Sequence, residues 1–133
     1  MHTLYQFNDI DGSGDQYKGE FIIHAKDGEH KMVRHGLGTM CYSNGSVYEG
    51  MWKTGQREGY GRLIHPTGDM YEGDWLNDKA NGHGIFSNIE GYNYEGSWLD
   101  DCQHGKGCEK WKSNDSKYEG NFHNSKKNGH GRY

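Results

Sequence analysis

Four groups of residues in this chain have the types and spacing that chemistry requires. Asp9, Asp11, Ser13, Gly14 and Glu20 fit positions one, three, five, six and twelve of a helix–loop–helix calcium site. Their surroundings oppose it: Gln16 takes a place usually apolar, Gly19 disfavours an exiting helix, and Glu20 is in register for a strand. Cys102-x-His104-x-x-x-Cys108 offers three soft donors, while a structural zinc site closes with four. Glu49, Glu72, Glu95 and Glu119 recur, each just after a tyrosine, which reads as a solvated row rather than an acid–base pair. Gly-x-Gly recurs as Gly36/Gly38, Gly59/Gly61, Gly82/Gly84, Gly105/Gly107 and Gly129/Gly131, without the strand-to-helix context of a phosphate cradle. His35 and His104 precede such pairs and His83 and His130 sit inside them, positions that imply packing or surface roles. The expectation is a chain that is not an enzyme, with no catalytic residues, no metal and no cofactor.

The elements that carry these residues follow from a repeat. Tyr-x-Gly-x-aromatic begins at Tyr17, Tyr48, Tyr71, Tyr94 and Tyr118, with the glycine pair eleven residues on in the last four copies. In the first copy eight residues are inserted within 22–35, which should lengthen a hairpin rather than add a domain. Alternation on a strand puts each tyrosine on one face with its partner at the fourth place, Phe21, Trp52, Trp75, Trp98 or Phe122. These are read as structural aromatics, and the paired glycines as a bare backbone floor on which rings lie. Polar turns are expected at Lys53–Gln56, Asn77–Ala80, Asp100–Gln103 and Asn124–Lys127, with the next strand starting at the glycine pair. Gly14, Gly45, Gly68, Gly91 and, in the last junction, Asp115 mark a second turn between repeats.

The fold this predicts is all-β: an elongated, single-layer antiparallel meander of hairpins. Residues 1–16 read as a partial preceding repeat, with Leu4–Phe7 its last strand, and 17–133 as the array, its final copy truncated. Composition agrees. Only 31 % of residues are hydrophobic, too few for a two-layer core, yet 14 % are aromatic and regularly placed. A net charge of −4 without a basic stripe argues against nucleic acid and against strong attraction to anionic membranes. No signal peptide or apolar run of transmembrane length is present. Cys41, Cys102 and Cys108 have no framework spacing, so reduced thiols and a cytoplasmic setting are expected, with cytoskeletal or membrane association as an open alternative.

Tyr71-Glu72-Gly73-Asp74-Trp75 through Gly82-His83-Gly84, at a 23-residue period, resembles the MORN (membrane occupation and recognition nexus) repeat. That resemblance implies an open, twisted sheet of hairpins acting as a protein-interaction or scaffold module. It also implies two alternatives: a regulatory or targeting domain of a larger enzyme, of the phosphatidylinositol phosphate kinase or SET-domain methyltransferase type, or a phospholipid-binding module.

From the residues themselves, binding is the better motivated function, because a single layer cannot cover its own apolar face. Met40, Tyr42, Leu63, His65, Phe86 and Trp111 vary from copy to copy along the constant scaffold. They are the candidate groove for a protein partner, an amphipathic helix or extended peptide. Both ends of the array look unfinished, which suggests either a piece of a longer array or self-association of its ends through segment 118–133.

Overall fold

Tyrosine, glycine and a bulky aromatic at every second place build an extended strand, and in the computed structural model each such segment is one. The structure describes residues 5–10, 14–26, 28–113, 115–123 and 126–132. Its strands are β1 (Tyr5–Ile10), β2 (Gln16–Lys26), β3 (Glu29–Cys41), β4 (Val47–Lys53), β5 (Gln56–Ile64), β6 (Met70–Leu76), β7 (Lys79–Ser87), β8 (Tyr92–Leu99), β9 (Cys102–Trp111), β10 (Ser116–His123) and β11 (Lys126–Arg132). They form one antiparallel sheet in sequence order, and no helix occurs among the described residues.

Two turn types alternate. Within a repeat the hairpin turns on two residues, Thr54-Gly55, Asn77-Asp78 or Asp100-Asp101, all with φ between 48° and 83°. Positive φ at both central positions is the mirror-image turn that matches strand twist, and Asn, Asp and Gly adopt it most readily. These turns are tighter than the four-residue segments expected from the sequence. The second strands therefore start at Gln56, Lys79 and Cys102, three residues ahead of the glycine pairs, and Cys102 lies on a strand rather than in a turn. Between repeats, Gly45, Gly68 and Gly91 take φ near 90°, closing four-residue loops such as Tyr42–Gly45, where Gly45 N–H donates to the Tyr42 carbonyl at 2.9 Å.

The insertion in the first repeat extends the β2–β3 hairpin, which pairs continuously from Phe21↔Arg34 to Lys26↔Glu29. At the other end of that segment, β1 runs further than Phe7: Asp9 pairs with Tyr17 and Ile10 with Gln16. Asp9 and Glu20 are therefore both on extended, paired backbone instead of the loop and exiting helix that such a calcium site uses; Asp11 and Ser13 lie outside the described residues.

The two glycines of each pair do different things. Gly38, Gly61, Gly84 and Gly107 lie under the tyrosine rings: a β-carbon on Gly61 would sit 2.2 Å from the Tyr48 hydroxyl oxygen. Their neighbours across the sheet are also glycines, Gly50, Gly73 and Gly96, so an unbroken glycine row crosses the strands. The first glycines, Gly36, Gly59, Gly82 and Gly105, instead hold φ between 86° and 111° beside a register shift, as at Gly50/Trp52. They are β-bulge glycines, which strand alternation alone does not reveal.

Above the glycine row runs a ladder of rings. Trp52 stands edge-on to Tyr17 and Tyr48, Trp75 to Tyr48 and Tyr71, Trp98 to Tyr71 and Tyr94, and Phe122 to Tyr94 and Tyr118, at 5.0–5.6 Å between centroids. Each such pair contributes roughly 0.5–1.5 kcal/mol beyond area burial. The polar atoms are satisfied too. Indole N–H groups of Trp52, Trp75 and Trp98 donate to the carbonyls of Gly38, Gly61 and Gly84 at 3.0–3.2 Å. Hydroxyls of Tyr48, Tyr71 and Tyr94 donate to the carbonyl three residues on, at 2.7–2.8 Å. One repeat is thereby bonded to the next through side chains as well as through the sheet.

Candidate binding groove on the aromatic face

The ladder lies on one face of the sheet, and what covers it differs from repeat to repeat. Over the first copies the cover is cationic. The Arg34 guanidinium lies 4.8 Å from the Trp52 ring centre and Arg57 lies 4.5 Å from that of Trp75. Arg57 is fixed by the turn of the following hairpin, its Nη2 donating to the Asp78 carbonyl at 2.7 Å and its Nε to Asp78 Oδ1 at 3.3 Å. Over the fourth copy the cover is a polar strut: Gln103 Nε2 donates to the Tyr92 hydroxyl at 2.9 Å, which donates to buried Glu109 Oε2 at 2.5 Å. Glu109 stands in register with Tyr94 and Tyr118, the place held by apolar residues in other copies.

Between these covers a groove of about 350 Å³ opens, floored by Tyr71, Trp75, Ala80 and Trp98 and walled by Leu63, His65, Phe86, Asp101 and Gln103. Of the six residues expected to form a groove, the structure brings Leu63, His65 and Phe86 together here. Tyr42 is half-buried against the same cluster farther along. Trp111 packs on Tyr92 at 5.6 Å in the next one. Met40, at 3 % exposure, is inside the cluster with Tyr17 and Tyr48 and has little surface to offer. His65 is held at the rim, its Nδ1 2.9 Å from Ser46 Oγ.

Burial favours the protonated form of four ladder hydroxyls and of the neighbouring Tyr92. It pushes Tyr17 and Tyr94 up to about 12 and raises Tyr48, Tyr71 and Tyr92 as well, with neighbouring Glu109 adding to the rise at Tyr92. These neutral phenols donate to main-chain carbonyls or, at Tyr92, to Glu109.

The opposite face carries two broader hollows, of about 870 and 780 Å³, over the glycine row. Several of their polar side chains meet one another: Arg62 with Glu49 at 3.5 Å, His83 Nε2 with Glu95 at 3.6 Å, and the Tyr60 hydroxyl with Glu72, while Lys18 and Lys106 also line them. The glutamates after each tyrosine are thus on this side, engaged rather than only solvated. Exposed Leu37, Met51 and Tyr60 form an apolar spot there. Among the remaining candidates, His35 Nδ1 accepts from the Thr54 amide at 3.2 Å, His104 lies beside His123 with rings tilted by 53° at 5.1 Å, and Cys41, Cys102 and Cys108 are free thiols. No group of three or more metal-ligating side chains forms among the described residues.

Sequence reasoning missed Arg34, Arg57, Asp78, Ala80, Asp101 and Gln103. The signal was there: the residue two places ahead of each glycine pair reads Arg, Arg, Ala, Gln, Lys along the array.

Hairpins joined in a single sheet, each locking its ring into the next, define a β-repeat protein whose copies depend on their neighbours. The family model for the MORN repeat matches residues 33–47, 48–70, 71–88, 94–116 and 118–133, and the chain belongs to that family. The matched segments begin inside the lengthened first hairpin, leaving residues 17–32 outside. MORN repeats form modules usually involved in binding or targeting. Comparison with curated proteins gives no match.

Proposed function

We propose that the chain is a non-catalytic interaction and scaffold module that holds a segment of a protein partner, an amphipathic helix or extended peptide, along the aromatic face. The observation that carries this reading is the groove between Leu63 and Phe86, where the structural ladder is left uncovered. Leu63 and Phe86 are half-buried, pack against the ladder and supply apolar walls beside it. The hollows of the other face are larger, but they lie over the glycine row with charged rims and lack the partly exposed indole and paired apolar walls of this groove. Nucleic acid and anionic lipid are disfavoured by the net charge of −4.

Selection from a peptide library, followed by measurement of affinity, tests it. Selected peptides are expected to lose binding to Leu63→Glu and Phe86→Glu at unchanged circular dichroism, and to keep it with Leu37→Glu on the opposite face. Retention in the first two variants, or loss only in the third, would reject the reading.

A further inference from the structure

Arg57 defines a slot. Its guanidinium lies on the Trp75 indole, beside Tyr48 at 5.7 Å, and reaches the carboxylate and carbonyl of Asp78. Arg34 takes the same place one repeat earlier, on Trp52 and beside Tyr17, but reaches a carbonyl alone, its Nη2 donating to Gly55 at 3.1 Å, with no carboxylate beside it among the described residues. Each cation is held between the electron-rich face of an indole and acceptors of the next hairpin turn.

In the third copy the cation is missing while the rest of the slot remains. Ala80 replaces the arginine. Asp101 occupies the place of Asp78, with φ of 69° against 67°. Its Oδ1 accepts from the Ala80 amide at 2.8 Å, as Asp78 Oδ1 accepts from the Arg57 amide at 2.8 Å. Tyr71 and Trp98 stand edge-on at 5.1 Å, as Tyr48 and Trp75 do at 5.3 Å. With a methyl group in place of a guanidinium, Trp98 is left partly exposed where Trp52 and Trp75 are buried, and Tyr71 is 7 % exposed where Tyr48 is 0 %. The groove opens over these rings.

We infer that this slot, floored by Trp98 and Tyr71 and edged by Asp101, takes the guanidinium of an arginine supplied by a protein partner. The inference deepens the groove reading and rests on it. A guanidinium fits where an ammonium does not, because it is planar, stacks on an indole, and forks toward a carboxylate and a carbonyl together. Asp101 is exposed and has no arginine of its own chain in the place that Arg57 fills beside Asp78.

The test is a titration of ¹⁵N-labelled protein with acetyl-Gly-Arg-Gly-amide and with its citrulline counterpart, isosteric but neutral, read at the Trp98 indole N–H. The arginine peptide is expected to give a saturable shift and the citrulline peptide none. Asp101→Asn, a side chain that tolerates the same turn, should weaken binding by roughly tenfold. Ala80→Arg should abolish it by filling the slot from within, and raise Tm. Equal shifts with citrulline, no saturable shift, or an undiminished response in Asp101→Asn would overturn the proposal, and these readings stand even if Ala80→Arg does not fold. Groove-selected peptides that bind while the arginine response is absent would remove the slot and leave the groove; the converse pair of results would remove the groove reading alone.

Discussion

The phenol ring of Tyr48 lies on Gly61 of the neighbouring strand so closely that a β-carbon there would fall 2.2 Å from the hydroxyl oxygen. That hydroxyl in turn donates to the Met51 carbonyl at 2.8 Å, and the ring stands between Trp52 and Trp75. Glycine is required because an aromatic side chain from another strand occupies the space of its missing one. Gly61→Ala should therefore destabilise by about 3 kcal/mol, the upper end of the ordinary range for overpacking, because the ring cannot give way. In a Tyr48→Ala background the same change should cost under about 1 kcal/mol. Urea unfolding of the four proteins gives the coupling, and additive effects would contradict the contact.

Thr54 holds φ of 49°, a left-handed conformation that a β-branched residue adopts poorly, at the place where later repeats have Asn77 and Asp100. Replacing it with asparagine keeps the backbone N–H that donates to His35 Nδ1. Thr54→Asn should stabilise by roughly 0.5–1 kcal/mol, read as a higher urea midpoint at unchanged slope. A lower midpoint would mean that the threonine makes contacts worth more than the strain.

Arg57 joins two repeats through Trp75 and Asp78. Arg57→Ala should lose about 1–2 kcal/mol and expose Trp75, shifting its fluorescence to the red. Arg57→Lys should recover little of this, since an ammonium cannot stack and fork at once. Full recovery with lysine would show that charge alone matters there.

Buried tyrosines set an alkaline limit. Tyr17 and Tyr94 are raised from the ordinary 10 to about 12 by burial. Their unfolded forms ionise first, so stability is complete below pH 10 and falls as pH rises from 10 to 12. The loss is on the order of 2 kcal/mol for each. Unfolding free energies measured from pH 8 to 12 should show this decline, smaller in Tyr94→Phe. A flat profile across that window would contradict the burial of these hydroxyls.

The period, the meander and the glycine floor were legible because they depend on local alternation: Tyr71, Gly73 and Trp75 share a face whatever surrounds them. The bulge glycines were not, since the φ of Gly59 or Gly82 depends on a register shift between strands that no single strand reveals. Turn length was readable in part from Asn77-Asp78, a pair suited to a mirror-image turn, but Lys53–Gln56 hides the same geometry behind Thr54. The candidate groove was only half readable. Leu63 and Phe86 stand out by position, while Met40, at the equivalent place, is covered by its neighbours. The arginine covers escaped notice because a cation on an indole is a contact between repeats, set by register and not by sequence distance.

The most direct measurement of where a partner binds is amide and indole chemical-shift mapping of the ¹⁵N-labelled chain with a library-selected peptide. Shifts are expected to cluster at Leu63, His65, Phe86 and the Trp98 indole, on the aromatic face between β5 and β9. Shifts gathered instead at Leu37, Met51 and Tyr60 across the sheet, or confined to the edge strands β1 and β11, would contradict the groove as the binding surface.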